Sequence, residues 1–184
     1  MFIPISCKVG AKNTNDYIPY AEISKNYSLD DAKNDGLIVY ENGNITSGQV
    51  VWDEFLEKIE QGNSAEVRLA FYYTLDGQNI SPEHYEEIKN DYPLLFIQDL
   101  FFNGEIYTLH YIEDGNEFKF NYKYLKRFNE TSPRETATYI ESVRYVLVND
   151  NNVTWEQIFF GMISSRIGDG IDHKTVYSKY INKD

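Results

Sequence analysis

Residues 93–128, PLLFIQDLFFNGEIYTLHYIEDGNEFKFNYKYLKRF, carry their own strand pairing. Asn103-Gly104 and Asp114-Gly115 each sit between runs rich in aromatic and β-branched residues. Asn-Gly and Asp-Gly favour a two-residue type I′ hairpin because both central residues must accept positive φ. Such a turn at Asn103-Gly104 sets Phe102 against Glu105, Leu100 against Tyr107, Asp99 against Thr108 and Ile97 against His110. The turn at Asp114-Gly115 sets Glu113 against Asn116, which puts Tyr111 opposite Phe118, His110 opposite Lys119 and Thr108 opposite Asn121. Both registers sort the side chains alike. Phe96, Leu100, Phe102, Tyr107, Leu109, Tyr111, Phe118, Phe120, Tyr122 and Tyr124 share one face. Asp99, Thr108, His110, Lys119, Asn121 and Lys123 share the other with Ile97, Phe101 and Ile106. The expectation is a three-stranded antiparallel meander over 94–127.

Outward from this core, alternation over 65–75, with Val67, Leu69, Phe71, Tyr73 and Leu75 on one side and Glu66, Arg68, Tyr72 and Thr74 on the other, predicts a strand. Residues 50–61 carry Trp52, Phe55, Leu56 and Ile59 on one helical stripe, so this helix is expected to dock on the aromatic sheet face. Ser28 caps a short helix over 29–35 with Asp31 at its third position, and Gly36 stops it. Residues 37–40 read as a strand, and Ser81-Pro82 opens a helix to residue 90. Residues 138–148 read as another strand, and helices are expected over 154–166 and 172–181. The domain plan is an extended arm over 1–27 followed by a single α+β domain over 28–184, largely antiparallel, with helices mainly on one face.

The 184 residues are 42% hydrophobic, enough for one core, and carry a net charge of −12. That charge disfavours phosphate-backbone binding, so nucleic acid is not expected as a partner, and it favours a basic protein partner. A lone cysteine, Cys7, excludes an intramolecular disulfide and suits a reducing cytoplasm; the alternative location is a lipid-anchored extracellular one. No apolar run reaches the ~18 residues of a membrane span.

Residues 28–112, through YSLDDAKNDG, Asn42-Gly43, Trp52-Asp53-Glu54-Phe55, Val67-Arg68, Tyr72-Tyr73-Thr74 and Asp99-Leu100 before Asn103-Gly104, resemble an uncharacterised domain family of Gram-positive bacteria. Some of its members look like secreted lipoproteins. The resemblance implies no catalytic residues, and the whole chain is similar to bacterial proteins of comparable length.

Three constellations carry candidate chemistry. Asp99 and His110, diagonal neighbours in the deduced register, form a candidate acid–base pair with Thr108 and Lys119 beside them, because a carboxylate that orients an imidazole prepares it as a general base. An antiparallel sheet also commonly solvates one face with such residues. The three histidines are far apart, and Asp169, Asp172 and His173 read as a turn and a cap, so neither a metal nor another cofactor is expected. Residues 163–181, with Thr175-Val176-Tyr177 where a recognition helix would lie, superficially resemble half of a helix-turn-helix, although ordinary helix packing is the preferred reading.

The 16 tyrosines exceed what a core of this size needs. Tyr supplies contact area at low entropy cost, so Tyr17, Tyr20, Tyr27, Tyr72, Tyr85 and Tyr92 among carboxylates suit a protein-binding face. Together with Thr108, Lys119 and Asn121, Tyr72, Tyr85 and Tyr92 make up the expected binding residues. The leading expectation is a non-catalytic binding protein, of inhibitor or immunity type, that engages a basic partner. An enzyme using Asp99 and His110, and a nucleic-acid contact through the C-terminal segment, are the alternatives.

Overall fold

The computed structural model describes residues 17–24, 26–131, 139–164 and 170–182. Thus 1–16 of the expected arm, and residues 165 and 166 of the expected helix, lie outside the described residues. The chain is α+β, built on a six-stranded mixed sheet and a three-stranded antiparallel one. The larger sheet has the order β2-β1-β3-β4-β5-β6 and contains β1 (Ile38–Glu41), β2 (Asn44–Ser47), β3 (Ala65–Tyr73), β4 (Leu94–Phe102), β5 (Tyr107–Glu113) and β6 (Asn116–Tyr122). Among the described residues, only β1 and β3 pair in parallel. The smaller sheet is β7 (Tyr124–Thr131), β8 (Tyr139–Val148) and β9 (His173–Asn182), with β8 central.

The two hairpin turns part company. At Asp114 (φ 50) and Gly115 (φ 77) the type I′ turn forms, and β5–β6 adopts the expected register, His110 opposite Lys119 and Thr108 opposite Asn121. At Asn103-Gly104 it does not. Asn103 keeps a negative φ and instead accepts from the backbone N–H of Glu105 and of Ile106, both at 2.9 Å, so the loop has four residues. The register moves by two: Phe102 pairs with Tyr107, Leu100 with Leu109, and Asp99 directly with His110. Because a shift of two keeps every side chain on its face, the expected sorting survives while the partners change. The gain is visible in the core, where Phe102 stacks on Tyr107 at 4.5 Å and Leu100 and Leu109 are fully buried.

The meander ends at Tyr122 rather than residue 127. The Tyr122 hydroxyl donates to Asp172 (3.2 Å) and Lys123 N–H to the Asn149 side chain (3.2 Å), and after this bend β7 pairs with β8. Tyr124 therefore leaves the face assigned to it. The helix expected over 172–181 is also corrected: these residues form β9, where Thr175, Val176, Tyr177 and Ile181 suit a strand and supply the second neighbour that the buried run Val146–Val148 requires. With Thr175-Val176-Tyr177 extended, there is no recognition helix and the helix-turn-helix alternative lapses.

Helix α1 (Leu29–Asn34) has the expected capping box between Ser28 and Asp31, and Gly36 (φ 75) stops it. Helix α2 (Gln49–Glu60) starts at Gly48, where φ is 79 and a Cβ would stand 2.5 Å from the Leu37 carbonyl oxygen, so only glycine fits. Trp52 and Phe55 of α2 are 1% exposed and meet Ile38, Val67, Leu69, Leu100 and Leu109 in the main core. The smaller sheet packs on this same side. Trp52 stacks on Tyr177 at 4.8 Å and meets Tyr145 edge-on at 5.2 Å, and the Tyr177 hydroxyl donates to Gln49 (2.8 Å). Helix α3 (Pro82–Ile88) begins at the Ser81 cap, and α4 (Trp155–Ile163) packs on the outer face of the smaller sheet through Trp155 and Ile158. No helix among the described residues is long and apolar enough to cross a membrane.

Candidate functional site: a forked sheet face

The second face of the large sheet, opposite α2, is built differently. Arg68 of β3 stands across from Asp99 of β4 and holds it bidentately, Nε to Oδ1 at 2.6 Å and Nη2 to Oδ2 at 2.9 Å. Both are buried, at 5% and 7% exposure, so each depends on the other to offset its desolvation. The remaining guanidinium donor, Nη1, reaches the Ile18 carbonyl at 2.5 Å, and the rings of Tyr17 and Tyr20 lie 5.0 and 4.8 Å from the guanidinium carbon. The stretch from Tyr17 through the short 3-10 turn Tyr20–Glu22 is therefore strapped over this face by one arginine. Burial, reinforced by the Asp99 charge, pushes the Tyr20 hydroxyl well above its ordinary range.

Glu66, two residues before Arg68 on the same face, has a carboxyl pushed up to about 7. Burial is the main cause and the Asp99 charge adds to it, with Arg68 opposing. Glu117 is held below its ordinary range mainly by its hydrogen bond to Lys119, 2.8 Å away.

His110 lies opposite Asp99, but its Nδ1 is 4.0 Å from Asp99 Oδ2. That exceeds hydrogen-bonding distance, and both Asp99 oxygens are engaged by Arg68. Nε2 comes within 2.9 Å of Glu117 Oε1 without hydrogen-bond geometry, so this buried nitrogen has no hydrogen-bond partner. The His110 ring instead packs edge-on against Tyr20 at 5.0 Å. Asp99 is thus anchored by Arg68, with the His110 ring beside it at ion-pair range but not hydrogen-bonded to it.

Of the other expected residues, Thr108 and Asn121 share this face and hydrogen-bond at 2.9 Å, while Lys119 pairs with Glu117. Tyr72 lies further along β3. Tyr85 of α3 covers Gly77, and Tyr92 precedes the cis peptide to Pro93. Asp172 is taken by Tyr122 and Asn149, and His173 Nδ1 lies 2.7 Å from the Ile171 carbonyl oxygen; Asp169 lies outside the described residues.

The feature that sequence reasoning missed is a fork. The β4–β5 ladder stops at Gln98–Tyr111, although β4 continues back to Leu94 and β5 on to Glu113. Among the described residues, β4 from Leu94 to Ile97 has no strand partner on its β5 side. At the crotch the Tyr20 hydroxyl meets one carbonyl from each strand, those of Ile97 (3.3 Å) and His110 (3.1 Å). Beyond it opens a cleft of about 480 Å³ lined by Tyr20, Ile23, Leu95–Gln98 and Tyr111–Asp114. Leu95 also borders a second cleft of about 460 Å³, lined by residues 26–30, Tyr72 and Pro93. The alternation in each strand signals both walls, but no local pattern says where a ladder stops.

A scan against protein-family models and searches of curated proteins and of solved structures gave no match.

Proposed function

We propose that this protein is a non-catalytic binding module, of inhibitor or immunity type, that takes an extended basic segment of a partner protein into the fork between β4 and β5. The observation that supports this reading is the strand edge Leu94–Ile97, left without a partner among the described residues, inside a cleft of mixed polar and apolar lining with acids at its rim. Main-chain bonds to an open edge give affinity, and pockets for alternate side chains give selectivity. Phe96 and Ile112 are exposed there, ready for apolar side chains, and Glu113 and Asp114 stand where lysines or arginines would lie. The overall charge of −12 adds long-range attraction for a basic partner. Tyr72 and the second cleft extend the same surface. The lone Cys7 suits action in a reducing cytoplasm.

The test uses a short peptide alternating valine and lysine, its valine–glutamate counterpart, and amide NMR of the full chain. The lysine peptide is expected to shift Leu95–Ile97 and Ile112–Asp114 selectively, with an affinity that falls as salt rises. Equal binding of the glutamate peptide, or shifts that avoid the fork, would sink the reading.

A further inference from the structure

Helix α4 presents a face that nothing described in the fold covers. Phe159, Phe160, Met162 and Ile163 are 46%, 57%, 52% and 61% exposed, whereas Ile158 is fully buried against the smaller sheet and Trp155 packs with Phe128 and Arg144. At 3.6 residues per turn the four exposed side chains spread over an arc of about 160°, which exposed Glu156 shares. Glu156 is the one charge that this helix carries on that arc.

We propose that α4 is a self-association face, through which two copies of this chain form a two-fold symmetric dimer by packing α4 against α4. Three observations select a second copy. First, four of the five exposed side chains on the patch are apolar, Glu156 being the exception, so the patch largely complements itself, as an isologous interface requires. Second, four large side chains about half exposed offer roughly 400 Å². That is about half of the ~800 Å² per partner in a standard interface, leaving the rest to the surface around the helix.

Third, the charge is unevenly divided. Residues 124–184 hold 8 Lys and Arg against 8 Asp and Glu, a net charge of zero, while residues 1–123 hold 9 against 21, a net −12. The segment that contains α4 and the smaller sheet is the neutral one, so two such acidic chains meet through it with less like-charge opposition than through the rest. This arrangement also leaves the forked face, on the far side of the large sheet from the smaller one, free.

Sedimentation velocity of the full chain over a wide concentration range tests the proposal. The expected result is a dimer fraction that rises with concentration. Phe160→Glu and Ile163→Lys, both at exposed positions, should each weaken association by ~tenfold or more while far-UV circular dichroism and melting stay unchanged. A protein that stays monomeric throughout, or a dimer that neither variant weakens, overturns it. If the monomer instead sediments with phosphatidylcholine vesicles, the face belongs to lipid. If it is monomeric and its α4 amides shift when residues 1–16 are removed, that segment is the occupant.

Discussion

The two faces of the six-stranded sheet are held by different means. On the α2 side, Trp52, Phe55, Leu69, Leu100 and Leu109 are almost entirely buried and stabilise through area and close packing. On the other side, beside a smaller apolar cluster of Ala32, Leu37, Val39 and Ala70, one ion pair, Arg68 with Asp99, is buried under two tyrosine rings and carries the strap that crosses the sheet. Apolar burial is non-directional and tolerates rearrangement, whereas a buried ion pair stabilises only while both members stay in place. The first face therefore carries the larger core, and the ion pair of the second fixes the position of a segment. The segment so placed, through Tyr20 and Ile23, borders the cleft.

The largest effect should come from the apolar face. Trp52→Ala removes the ring that joins α2 to both sheets and should cost ~4 kcal/mol in denaturant-unfolding stability. A loss under ~1 kcal/mol would mean that the smaller sheet does not depend on this contact. On the opposite face, Arg68→Met strands a buried carboxylate and should cost ~3 kcal/mol, less than Trp52→Ala because Asp99 can take up a proton. Adding Asp99→Leu should restore most of that loss. If the double variant is no better than the single one, the pair itself is a net stabiliser and the contrast between the faces weakens.

Tyr20→Phe deletes the hydroxyl that meets the carbonyls of both strands at the crotch, and should cost ~1 kcal/mol. Amide exchange is expected to quicken at residues 17–23 while the core strands stay protected. Uniform acceleration would mean that the strap and the core open together.

The smallest effect concerns Glu66, whose carboxyl is raised from an ordinary 4.5 to about 7. Its folded form binds the proton more tightly than the unfolded chain does, so stability falls as pH rises from about 4.5 to about 7, and the deficit persists above that. Glu66→Gln should therefore raise stability at pH 8 by ~1 kcal/mol, a figure reduced for solvent screening of this partly exposed group, and change little at pH 4. An equal gain at both pH values would point to packing rather than charge.

Much of this fold can be read without coordinates, and the places where reading fails share one cause. The Ser28–Asp31 capping box, the stripe of α2, the alternation of β3 and the turn at Asp114-Gly115 are decided by neighbours in the chain, and each stands as read. The period-two sorting of the residues in β4, β5 and β6 onto two faces is equally local.

By contrast, the two-residue offset between β4 and β5 does not alter any local pattern, because both registers put the same residues on the same faces. It is settled by the Asn103 side chain and by how Leu100, Phe102, Tyr107 and Leu109 fill the core. The exit of β7 to a second sheet, and the extension of residues 173–182 into β9, depend on what β8 lacks on either side. The fork likewise depends on how far two strands stay paired once the Tyr20 hydroxyl sits between them.

The residues alone determined an α+β chain, its caps, its amphipathic elements and the polar face that holds Asp99 and His110. Only the tertiary structure decided that Asp99 belongs to Arg68, 31 positions away in the chain. Pairing across that distance is set by which surfaces close the core together, and no local spacing records it.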